Sequence, residues 1–233
     1  MGAAAKPVIY ERMKSAIETG VMPVVIETLR LLPDSVVLGT SLLAMLSLCK
    51  SYGVLVLTMV ELMFGQRIIA SMIGSIRPLG AGPDALHETC QPGFAFPNSM
   101  RISLLETIGV PSSFPSPVIF FLTGVLAYMI SSVKEFGREI KSLGGDLQTR
   151  TVVGVVLSSF LAFIVFGFRL TYGCETFGTL FISLLFGAIA GILIMLQNKA
   201  LFGREGLNIL NLPMILTANE SGKPMYVCAP SGM

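Results

Sequence analysis

The sequence predicts an all-α membrane protein with four transmembrane helices, five in an alternative reading, plus an N-terminal amphipathic helix and a short C-terminal β-hairpin. Three observations carry this. Of 233 residues, 53% are hydrophobic and only 13% charged, about half the ~25% that a soluble surface needs. The apolar residues fall in blocks rather than at the two-residue or 3.6-residue spacing of a half-buried element. Three blocks, 117–133, 151–168 and 176–198, contain no charge at all. In this reading residues 1–33 are an amphipathic segment, 34–198 the helical membrane domain with an extramembrane loop at 77–117, and 199–233 a tail.

Residues 7–32 carry Ile9, Met13, Ile17, Val21, Val24 and Val25 at helical spacing, opposite Glu11, Lys14, Glu18 and Glu27. That pattern makes one apolar helix face, with Pro23 expected to kink it. Such a helix lies in the headgroup plane or docks on the protein's own spans. The first thirty residues hold three glutamates and no clean apolar signal segment, so insertion is expected to rely on the first span.

The first apolar stretch, 36–49, is 14 residues long, short of the ~20 that a ~30 Å hydrocarbon core requires. Lys50 interrupts it and 53–60 resumes it. Either one span covers 36–60 with Lys50 at its edge, or two helices, 35–49 and 53–76, form a tight pair whose second member carries Glu61, Gln66 and Arg67. Each charge at mid-membrane costs about 2.5–3.5 kcal/mol, which favours the single span. Charge distribution agrees. With four spans, the N-terminus, the 134–150 connector and the tail share eleven Lys and Arg, against four on the other face. This puts both termini in the cytoplasm by the positive-inside rule. The five-span reading gives seven against eight, no bias.

Residues 77–117 hold seven of the thirteen prolines and read as an extramembrane loop, with Asn98 or Ser99 capping a short helix that ends at Gly109. The second, third and fourth spans follow at 117–133, 151–168 and 176–198. In the tail, 213–217 and 225–228 flank the turn-rich 219–223 and suggest the hairpin.

Candidate chemistry is sparse. Cys90 and Cys174 fall on one non-cytoplasmic face, where they form a disulfide or remain two free thiols. The lone His87, with Asp84 and Cys90, has a loose metal-ligand spacing but lacks the paired motif of a zinc site, so no metal or cofactor is expected. No catalytic motif occurs, and the protein is read as a non-enzyme. Gly154-xxx-Ser158-xxx-Ala162 and Gly187-xxx-Gly191 are small-residue rows that allow close helix approach. They predict that the third and fourth spans pack together, with homo-oligomer contact as the alternative. Met1-Gly2-Ala3-Ala4-Ala5-Lys6 nearly fits a myristoylation signal, with Lys6 where Ser or Thr is preferred, making Gly2 a candidate lipidation site. The one sequon, at Asn219, is expected to escape glycosylation in a cytoplasmic tail.

Two C-terminal stretches, Tyr172-Gly173-Cys174-Glu175-Thr176-Phe177-Gly178-Thr179 and Leu210-Asn211-Leu212-Pro213 followed by Gly222-Lys223-Pro224-Met225-Tyr226-Val227-Cys228, resemble small multi-pass membrane proteins encoded by large nucleocytoplasmic DNA viruses. The resemblance implies a structural component of a virion's internal membrane, touching lipid and docking capsid or core proteins through its tail, and supplies no catalytic residues; the net charge of +2 with spread-out basic residues argues against a nucleic-acid partner. The competing expectation is an oligomeric channel or transporter using Lys50, Glu61 and Arg67, the ionisable residues nearest the first span.

Overall fold

A computed structural model describes residues 17–74, 88–95, 101–105, 114–142, 145–210, 212, 214–216 and 225–227. A π-helical turn, Ile17–Val21, leads into α1 (Met22–Ser47), followed by α2 (Lys50–Gly74). Two short strands, β1 (Phe94–Ala95) and β2 (Arg101–Ile102), pair antiparallel in the loop. Then come α3 (Pro117–Glu135), the short α4 (Gly137–Ser142), α5 (Gly145–Thr171) and α6 (Phe177–Gly206). In the tail, β3 (Met214–Leu216) pairs antiparallel with β4 (Met225–Val227); the turn expected between them lies outside the described residues. So do Gly2, His87, Asp84 and Asn219.

Four helices are long and apolar enough to cross a membrane: Lys50–Ile73, Pro117–Glu135, Gly145–Thr171 and Phe177–Gly206. The chain is a multi-pass integral membrane protein of four candidate spans, but the first of them is not the expected 36–60. The backbone breaks at Leu48, which adopts the left-handed conformation (φ 51°) and donates its N–H to the Ala44 carbonyl. Ser47 helps end α1: its hydroxyl bonds back to the Leu43 carbonyl and also accepts the Cys49 N–H, a local alternative to helix continuation. Lys50 therefore begins a helix instead of interrupting one. Upstream, Pro23 sits in the first turn of α1, where its missing N–H leaves no bond unmade. It starts the helix rather than kinking one, and α1 runs unbroken through the expected boundary at residue 33.

The two-residue connection makes α1 and α2 antiparallel neighbours, packed on each other. The first half of α1 reaches the loop end of the bundle: it touches residues 88–90, and the Asp34 carboxylate accepts the Leu105 N–H at 3.1 Å. The chain's first described residues and its tail thus lie at opposite ends of the bundle, contrary to the shared side expected from charge counting. In the loop, Arg101 and Ile102 belong to a strand and helix begins at Leu104, later than the expected cap; Asn98, Ser99 and the expected end at Gly109 lie outside the described residues.

The core is built on α3. Pro117 opens it at the first helical position, and Val118–Leu122, Gly124, Val125, Tyr128 and Ser132 are buried where it packs on α2 and α6. The facing stripe of α6, Thr179, Ser183, Gly187, Gly191, Met195 and Asn198, recurs every three or four residues. Here glycine is obligatory. A Cβ on Gly191 would lie 2.1 Å from the Gly124 carbonyl oxygen, and one on Gly187 would lie 2.4 Å from that of Phe120. This small-residue row therefore packs on the second span, not on the third as expected. The third span, α5, stands apart, with 6% of its apolar window buried against 56% for α3. A Cβ on Gly154 meets nothing within 4 Å, and Ser158 is exposed; Ala162 borders an open cleft.

Candidate functional site

Polar side chains inside the bundle gather in three places. At the loop end, Cys90 and Cys174 are joined by a disulfide across 84 residues of sequence, which removes both thiols from any metal set. Beside it Glu175 chelates Arg169: Nε donates to one carboxylate oxygen at 2.7 Å and Nη2 to the other. Both side chains are only 10% exposed. Arg169 Nη1 also donates to the Cys90 carbonyl at 3.2 Å, and the Ser116 hydroxyl donates to Glu175 at 2.7 Å. The Ser116 N–H in turn donates to the Ser183 hydroxyl, and Gln66 Nε2 to the Pro115 carbonyl. These contacts tie the ends of α2, α3, α5 and α6 and the loop into one buried unit. A planar guanidinium with two carboxylate oxygens in fork geometry is the strong form of ion pair.

At the tail end, α6 kinks at Gly203 (φ 70°, ψ −174°), a backbone conformation that belongs to glycine. The kink folds Arg204 back onto the α3–α4 junction. Its Nη2 donates to the buried Glu139 carboxylate at 2.8 Å and to the Glu135 carbonyl at 2.9 Å, while its guanidinium covers the Phe136 ring at 5.1 Å. Lys199 pairs with Glu135 at 2.9 Å. Lys50 lies at this same end, 3.9 Å from Glu205.

Between the ends, α2, α3 and α6 enclose the candidate site. Asn198 Nδ2 donates to the Thr58 hydroxyl at 2.8 Å, and Gln197 Nε2 to Glu61 Oε1 at 3.2 Å. The fully buried Tyr128 brings its hydroxyl beside Thr58, Ser132 and Asn198. Four oxygens here, Glu61 Oε2, Tyr128 Oη, Ser132 Oγ and Asn198 Oδ1, are buried without a well-formed hydrogen bond among the described residues. The cluster is rich in oxygen acceptors and hydroxyl donors and suits water or a small cation. It has no nucleophile–base pair, and the described residues hold no group of three metal-ligating side chains.

Of the three residues named for transport, only Glu61 belongs to this cluster. Lys50 is interfacial with Glu205, and Arg67 is exposed near the loop end of α2, so the structure does not assemble the set. Thr58, Tyr128, Ser132 and Asn198 are neutral, so charge within the spans does not mark them in the sequence. The available signal was Gln197-Asn198 at the edge of the last apolar run: α6 continues to Gly206, so both lie within the helix, Asn198 buried and Gln197 exposed.

No family model, curated protein or solved structure matches this chain.

Proposed function

We propose that the protein is a structural, scaffolding component of a membrane, anchored by its helical bundle and docking partner proteins at the tail end. The observation that carries this is the backbone-to-backbone closure of α3 on α6 at Gly124, Gly187 and Gly191. Together with the ion-pair clusters at both ends, it favours a rigid anchor over a rocking carrier. The resemblance of the C-terminal stretches makes the internal membrane of a large DNA virus particle the setting we propose, with capsid or core proteins as partners. We further propose five membrane crossings, α1 being the fifth. Residues 31–47 span roughly 25 Å at 1.5 Å per residue, close to the ~30 Å core, and Leu42, Leu43, Met45 and Leu46 are exposed on the outer side of α1.

Arg204 and Leu207 belong to the packed bundle, so a clean test of the tail removes only residues 213–233. The truncated protein is expected to insert and unfold like the full chain while losing its partners in crosslinking from the native membrane. Unchanged crosslinked partners would refute the docking role. A conducting role is favoured by one observation, the unpaired oxygens around Tyr128 and Glu61. Ion flux in liposomes that disappears in Glu61→Gln would move the assignment there.

A further inference from the structure

The loose packing of α5 leaves a cleft of about 490 Å³ between α3, α5 and α6, lined by Ala127, Ile130, Ala162, Phe163, Leu184 and Ala188 among others. Its loop end is closed by aromatic rings: Phe166 meets Phe177 edge-on, and Phe177 stacks on Phe181. The buried residues of α5 are Val165, Phe168 and Arg169, near its loop end, and the cleft extends from there toward the tail end along Ala127, Ile130 and Ser159. On α3 the lining residues Thr123, Ala127 and Ile130 continue, four residues on, to Lys134. Residues at that spacing share a helix face, so Lys134 falls on the slot's side of α3, one turn beyond its last lining residue on that helix. Lys134 is exposed and forms no ion pair among the described residues, unlike Lys199 one helix away. Arg138 and Lys141, both exposed on α4, add positive charge at the same level.

We propose that this cleft holds an acyl chain of an anionic glycerophospholipid whose headgroup phosphate sits on Lys134. The slot lies at hydrocarbon depth and ends in a cationic rim at the interface, matching a lipid's apolar chain and negative head. A basic pocket between membrane helices is a chemistry that selects acidic headgroups. A second copy's helix would fill the apolar slot as well, but would leave the Lys134 rim without a counter-charge.

The test uses the full chain, stripped of lipid in detergent and then offered phosphatidylglycerol or phosphatidylcholine of identical chains, with retention read by native mass spectrometry. Phosphatidylglycerol is expected to be retained at least tenfold better. Lys134→Gln should reduce that preference to less than threefold, and because Lys134 forms no ion pair among the described residues, its thermal unfolding should stay unchanged. Ala127→Phe, which fills the slot, should weaken retention of both lipids. Equal retention of the two lipids by the unaltered protein, an undiminished preference in Lys134→Gln, or full retention in a folded Ala127→Phe would overturn the proposal. So would a dimer, seen by mass, that crosslinks through a cysteine at Ala162 and excludes lipid.

Discussion

Gly191→Leu is expected to be the most damaging single substitution in the membrane region, costing at least about 3 kcal/mol, at or beyond the upper end of ordinary overpacking. The nearest atom to a new Cβ is the Gly124 carbonyl oxygen, at 2.1 Å. Because that atom is backbone, no rotamer change relieves the clash, and α3 and α6 must separate. Their separation would strip burial from the stripe between Phe120 and Tyr128. Gly154→Leu is the control. Its position is open to the surroundings, and the substitution should alter stability by less than about 0.5 kcal/mol, as surface changes do. Reversible unfolding of both variants in mixed micelles checks the pair. Equal destabilisation would mean that α5, too, is packed on a neighbour.

Glu175→Ala should rank next. It leaves the Arg169 guanidinium nine-tenths buried without its carboxylate, and breaking a buried pair from one side costs about 3–5 kcal/mol. Ser116 loses its acceptor as well. The asymmetry of the penalty is the distinguishing feature. Replacing both partners, Arg169→Met with Glu175→Leu, should recover most of the loss, because no orphaned charge remains. Lys199→Ala at the tail end offers the contrast: that ammonium is 41% exposed, and surface pairs contribute no more than ~1 kcal/mol. Unfolding midpoints of the three variants give the order. A double variant as unstable as Glu175→Ala would show that the site needs the charges themselves.

The helices α3, α5 and α6 were legible because long charge-free blocks have few alternatives once they must be shielded from water. The hairpin of α1 and α2 corresponds to the alternative pair 35–49 and 53–76, which the single span displaced for a physical reason. The mid-membrane cost of Glu61 and Arg67 was counted as if neither had a remedy, whereas Glu61 accepts from Gln197 and Arg67 lies exposed toward the loop end. The stretch 36–49 was also too short by itself, at 14 residues, whereas α1 extends it upstream through Asp34 to Met22. In the fold Asp34 is buried and bonded to the Leu105 N–H, 71 residues away, a partner that no local pattern announces. The glycine row in α6 was visible, but its partner was assigned by chain proximity. The five residues joining α5 to α6 hold only their loop ends together, while Gly124 on α3 supplies the flat surface that Gly187 and Gly191 require. At the site, Glu61 was found from its charge, and Tyr128, Ser132 and Asn198 were passed over because an isolated neutral polar residue in an apolar run carries little weight until a neighbouring helix supplies its counterpart.

The proposal that α1 is a fifth crossing, which would leave the two termini on opposite faces, is tested most directly by sidedness labelling. Cys49 and Cys228 are replaced by serine, the Cys90–Cys174 disulfide is left intact, and a single cysteine is added before Met1 or after Met233. Sealed vesicles are then treated with a membrane-impermeant maleimide, before and after permeabilisation. The account predicts that one terminus labels in sealed vesicles and the other only after permeabilisation. Both termini labelling together, in either condition, would contradict it and return the chain to four crossings with a shared side.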